Sequence, residues 1–108
     1  MKKLTAALIL LACINAPAMG YTTFGAFDCG QWIKDQSPQK RVWLLGYMTG
    51  LSAMFTTLRT GQGDPLGKIN SADQIYLWMD NYCTKNPLTT VATAGIDLYI
   101  ELATKSNK

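Results

Sequence analysis

Three cysteines punctuate this chain of 108 residues, and the first twenty residues decide what two of them can do. Met1-Lys2-Lys3 is a cationic start. Leu4 to Ile14 follows as an uncharged run rich in Leu and Ala, with the span of a signal h-region. Asn15 and Pro17 then break any helix. Ala16-Pro17-Ala18 fits the small-x-small rule for cleavage after Ala18, and Ala18-Met19-Gly20 offers a second site with Tyr21 as the first mature residue. Residues 1–20 are therefore expected to be an export signal. Cys13 lies inside it. Leu10-Leu11-Ala12-Cys13 is similar to a lipoprotein box, although Leu11 is not the small residue usual there. Lipidation at Cys13 would bring membrane association; cleavage downstream would discard the thiol. Either way Cys29 and Cys83 remain, and a pair in an oxidising compartment reads as one disulfide. It would close a loop of about 55 residues, which the chain-entropy model values at roughly 4 kcal/mol.

A domain covering residues 21–108 is small enough to need such a staple. The hydrophobic fraction is 48% and the charged fraction only 16%, part of which reflects the apolar signal. Lys2 and Lys3 account for two of the ten basic residues, leaving eight against seven acidic ones. A near-neutral mature chain has no electrostatic reason to bind nucleic acid or an anionic membrane. There is no histidine and no Cys-x-x-Cys, so neither a metal site nor a redox pair is expected, and no cofactor.

The mature chain reads as all-α. Asp28 caps a short helix from Cys29 to about Asp35, carrying Trp32 and Ile33 and ended by Gln36-Ser37-Pro38. A second helix runs from about Gln39 to Leu58. Val42, Leu45, Tyr47, Met48, Leu51, Met54, Phe55 and Leu58 supply its apolar spacing, and Thr49, Ser52, Thr56 and Thr57 a polar face. Gly46 and Gly50 lie four apart. Each costs a helix interior about 1 kcal/mol, which predicts a second helix crossing closely there. Thr60 to Asn70 reads as an exposed, mobile loop. Ser71-Ala72-Asp73-Gln74 is a capping box opening a third helix, Ala72 to about Thr84, with Ile75, Met79, Tyr82 and Cys83 on one side. Asn86-Pro87 reads as cap and first residue of a fourth helix running to about Thr104. Val91, Gly95, Leu98, Tyr99 and Leu102 form its buried stripe, widened by Ile96 and Ile100. The expectation is a disulfide-stapled bundle of about four helices in one domain.

Val42 to Leu58 is uncharged for about 17 residues, at the short limit for a membrane span, and its four hydroxyl residues argue against one. Enzymatic chemistry has little to work with. Asp28 and Asp73 are helix-start residues. Asp97 and Glu101 sit four apart, a spacing paired-carboxylate chemistry uses, but one a solvated helix face shows far more often. A non-enzymatic interaction protein is the expectation. Asp64 and Lys68 in the loop are the candidate partner contacts, with Trp32 and Trp78 as alternative anchors.

Phe27-Asp28-Cys29-Gly30-Gln31-Trp32, Trp43-Leu44-Leu45-Gly46-Tyr47-Met48-Thr49-Gly50, Ile75 through Cys83 and Asn86-Pro87-Leu88 together resemble small exported bacterial proteins. The group is similar to the Tai-like periplasmic immunity proteins and, more loosely, to the HdeA-type acid chaperones. A fainter resemblance is to plasmid-transfer-region proteins of the KikA kind. The first resemblance implies a periplasmic factor that plugs a secreted toxin or serves the envelope, carried on a mobile element. The second implies a stress chaperone that loosens in acid; with few carboxylates and no histidine, such a switch would be shallow. The third implies host killing or entry during conjugation. In each the partner is another protein.

Overall fold

The computed structural model describes residues 22–105. The expected signal peptide, its expected cleavage sites and Cys13 lie outside the described residues. The elements are α1 (Cys29–Lys34), α2 (Pro38–Leu58), a single 3₁₀ turn (Pro65–Lys68), α3 (Ala72–Lys85) and α4 (Val91–Thr104). Among the described residues there is no strand, only a lone antiparallel bridge between Asp28 and Thr90.

Local chemistry explains each start. The Asp28 carboxylate accepts the Gln31 backbone N–H at 2.7 Å, and the Gln31 side chain accepts the Asp28 N–H at 2.9 Å, a reciprocal cap on a helix of only six residues. The segment Gln36-Ser37-Pro38 follows the end of α1 as expected, and it also opens α2. Ser37 is the cap, and Pro38 sits where a missing N–H costs nothing. α4 also starts later than expected. Asn86 closes α3, its backbone and side-chain amides both donating to the Tyr82 carbonyl at 2.9 Å. Thr90 instead caps α4, accepting the Thr93 N–H at 3.1 Å. The reason is tertiary. The Cys29 N–H donates to the Thr89 carbonyl and the Val91 N–H to the Phe27 carbonyl, which zips the starts of α1 and α4 together. In the expected Ser71 box, the Ser71 side chain makes no cap bond, and the Gln74 amide oxygen takes the Asn70 N–H at 2.6 Å.

α1 packs on α3, α2 on α4, and α3 on α4. The Cys29–Cys83 disulfide joins the first turn of α1 to the last turns of α3 across 4.9 Å between Cα atoms, with both residues fully buried. The same buried core holds Trp32, Leu44, Met48, Met79, Val91 and Leu98. The close helix crossing is at Gly95 of α4, not at Gly46 and Gly50. A Cβ on Gly95 would stand 2.9 Å from Tyr47 Cε2 and 3.3 Å from Met48 Sδ, so α2 and α4 meet through bare backbone.

A candidate docking face on α2

Both side chains proposed for contact in the middle loop, though exposed, are bonded to the chain's own atoms. Asp64 accepts the Ser52 hydroxyl at 2.7 Å, the Leu66 N–H at 3.0 Å and the Tyr99 hydroxyl at 3.4 Å. Lys68 Nζ donates to the Leu102 and Lys105 carbonyls at 2.6 and 2.8 Å, closing the C-terminal end of α4, where a cation complements the helix dipole. The segment is therefore pinned rather than free: Pro65 is buried, and Gly61 and Gly63 turn the chain through positive φ. Ser52, expected on a polar face, is buried because Asp64 reaches it. Trp32 is 0% exposed, its indole N–H donating to Asp80 at 2.8 Å, so it anchors the core and offers nothing to a partner. Trp78 is half-buried, stacked on Tyr82 at 5.0 Å between centroids and donating to Glu101 at 3.3 Å.

The paired carboxylates of α4 are occupied in the same way. Asp97 accepts the Tyr82 hydroxyl at 2.6 Å, and Glu101 takes Trp78 and Lys105. The hydrogen bond from Tyr82 to Asp97 raises the Tyr82 pKa above its usual value, with burial adding to it. Burial raises that of Tyr99, and the Asp64 carboxylate pushes the same way. Among the described residues no group of three His, Cys, Asp or Glu is placed to hold a metal ion.

What remains open is one side of α2. Val42, Gly46, Gly50, Met54 and Leu58 recur every fourth residue, a ridge that winds slowly round the helix, and its first four residues line one groove. Val42 is 68% exposed, Met54 57% and Leu58 74%. No atom stands within 4 Å of where a Cβ would be at Gly46 or Gly50, so the middle of the line is bare backbone. Phe24, 85% exposed, overhangs it beside Trp43, whose indole N–H donates to the Phe24 carbonyl at 2.6 Å. Together with Tyr47, Leu51 and Ile96 these residues line a groove of about 700 Å³. Shallower apolar depressions continue it at either end, beside Pro38 and Val42 and beside Met54 and Leu58. The helix hydroxyls do not make this side polar: Thr49, Thr56 and Thr57 bond back to the carbonyls of Leu45, Ser52 and Ala53.

Val42, Met54 and Leu58, expected on the apolar side of the helix, are exposed, whereas Leu44, outside that pattern, is fully buried. α2 is apolar on nearly all sides, so periodicity alone did not select the side that packs. Ile100, expected to widen the stripe of α4, is exposed. Among the described residues no helix is long and apolar enough to cross a membrane. Fold and site together describe a small disulfide-stapled helical bundle with an apolar groove along its longest helix. Comparison with known proteins adds no relative: no family model, no curated protein and no solved structure matches the chain.

Proposed function

We propose that this is an exported, periplasmic, non-enzymatic interaction protein of the immunity-like or envelope-associated kind, which binds another protein through the groove on α2. One observation carries the reading: an exposed apolar groove about 700 Å³ in volume runs beside a helix line without a charge from Val42 to Leu58. Exposed apolar surface that is continuous and concave marks a binding site in a protein of this size. Three further points support it. The disulfide between buried cysteines suits an oxidising compartment. Four of the carboxylates already accept from an aromatic hydroxyl or indole donor of the same chain. The resemblance to Tai-like immunity proteins points the same way, with the gene placed on a mobile element beside its toxin.

The test is complementation. Deleting the gene should sensitise cells only when the neighbouring toxin is made, and a Met54→Glu variant that folds normally should fail to restore protection. Full protection by Met54→Glu would remove the α2 groove from the function. Toxin-independent death would remove the immunity reading.

A further inference from the structure

Resting on the reading of the α2 groove as a docking site, we propose that the chain carries its own plug for that groove. The ring of Phe24 turns down over Gly46 to close it, and a partner enters by taking the place of the ring. The structure holds the open arrangement. Phe24 is 85% exposed, yet it stands at the rim of the apolar groove, which it lines together with Thr22, Thr23 and Gly46.

The arm that carries the ring, residues 22–26, is fixed at its inner end and hinged one residue from Phe24. Phe27 is buried, its carbonyl accepts the Val91 N–H at 3.0 Å, and its ring meets Trp43 edge-on with centroids 5.2 Å apart. Gly25 lies between that anchor and Phe24. Its φ of +73° is a conformation that glycine enters and leaves without steric cost. A Cβ there would stand 3.3 Å from Trp43 Cδ1, so the hinge runs against the indole edge. The Trp43 indole N–H donates to the Phe24 carbonyl at 2.6 Å. That bond holds the backbone of the arm and leaves the phenyl ring free to turn.

Reach and chemistry both favour closure. Gly46 lies three residues on from Trp43, about 4.5 Å along the helix axis, so a ring tethered at Trp43 reaches it without moving α2. No atom stands within 4 Å of the Cβ position at Gly46, and Val42 beside it is 68% exposed. A ring laid there sheds water from its own face, from Val42 and from bare backbone. The peptide groups at Gly46 are paired within α2, so covering them leaves no donor or acceptor unsatisfied. No charged side chain lines the groove. The same features define the entrant. A partner that displaces the ring must present an aromatic or branched aliphatic anchor on a segment that is uncharged where it lies in the groove.

Two measurements on the purified protein read the plug without any partner. In solution NMR the closed ring puts the Phe24 aromatic protons within nuclear Overhauser range of the Gly46 α-protons and shifts those protons upfield by its ring current; Phe24→Ser removes both signatures. The apolar dye N-phenylnaphthylamine competes with the ring. Phe24→Ser should therefore bind it at least about threefold more tightly, the factor by which a state closed about two-thirds of the time masks a site. Phe24→Leu, which keeps an apolar plug, should bind the dye nearly as weakly as the parent. Phe24 is exposed, and an unchanged circular dichroism spectrum verifies that each variant folds. Absence of contact between the ring and Gly46, or dye binding that Phe24→Ser leaves unchanged or weakens, overturns the plug and reduces Phe24 to a wall of the groove. Toxin protection is read separately. Protection by Met54→Glu would remove the docking role while the ring still closes over Gly46; a ring that stays in solvent would remove the plug while Met54→Glu still fails to protect.

Discussion

Replacing glycine by alanine at two places in this bundle should change stability with opposite signs. In an exposed helix interior the replacement is favourable by about 1 kcal/mol, because alanine has less backbone entropy to lose. Gly50 meets that condition, with open space where the methyl would go. Gly50→Ala in dilute protein should gain about 0.5–1 kcal/mol. At Gly95 the same methyl would lie 2.9 and 3.1 Å from Tyr47 Cε2 and Cδ2 and 3.3 Å from Met48 Sδ. Favourable carbon contacts begin near 3.5 Å. The ring cannot swing away cheaply, because it stacks on Trp43 with centroids 5.0 Å apart, and Met48 is fully buried. Overpacking of this kind costs about 1–3 kcal/mol, which exceeds or cancels the helical gain and leaves Gly95→Ala less stable by about 1 kcal/mol. The pair should therefore differ by about 2 kcal/mol, or roughly 8–16 °C in Tm for a domain of this size. Urea unfolding followed by tryptophan fluorescence measures it. Adding Tyr47→Leu to Gly95→Ala should recover part of the loss, a coupling expected only of residues in contact. If Gly95→Ala equals or exceeds the parent in stability, or Gly50→Ala falls below it, the placement of the helix crossing is wrong.

Two further outcomes follow from the same contacts. Cys83→Ser opens a bridge spanning 54 residues and should cost about 4 kcal/mol; because both sulfurs are buried, dithiothreitol should cleave the parent disulfide only with denaturant present, and rapid cleavage in native buffer would refute that burial. Tyr82 and Tyr99 have pKa values raised above the ordinary 10.0 in the folded state, by the Asp97 hydrogen bond first and by burial first respectively. A raised pKa means the folded state favours the protonated phenol, so this contribution is present in full below about pH 10 and lost as pH rises through the folded-state values. The urea midpoint should fall as pH rises above about 10, and a Tyr82→Phe, Tyr99→Phe variant should fall less steeply; an equal slope would remove the tyrosines as the cause.

Much of the fold was legible because its signals are local. Asp28 before Cys29 is a cap whose chemistry needs no neighbour, and Ile75, Met79 and Cys83 mark one side of α3 at helical spacing. Val91, Gly95, Leu98, Tyr99 and Leu102 do the same for α4, and all five are buried. The misplaced start of α4 has a tertiary cause. Asn86-Pro87 and Thr90 are both good openings, and local preference could not rank them. The bridge from Phe27 and Cys29 to Thr89 and Val91 decides it, and that bridge joins segments sixty or more residues apart in sequence.

The docking face was illegible for a different reason. A helix that is apolar on nearly every side does not declare which side will be covered, and in α2 the neighbours chose. α4 took Met48 through the gap at Gly95, and Asp64 drew the polar Ser52 inward. What was left over is the line from Val42 to Leu58 with two glycines at its centre. Their spacing predicts a helix crossing there, yet within the described residues none does, and the helix that crosses α2 closely does so at its own Gly95. Two interior glycines on a surface helix cost about 1 kcal/mol each, and nothing they touch in the described chain offsets that. Bare backbone flanked by exposed Val42, Met54 and Phe24 is the part of α2 that the packing of the described chain leaves uncovered.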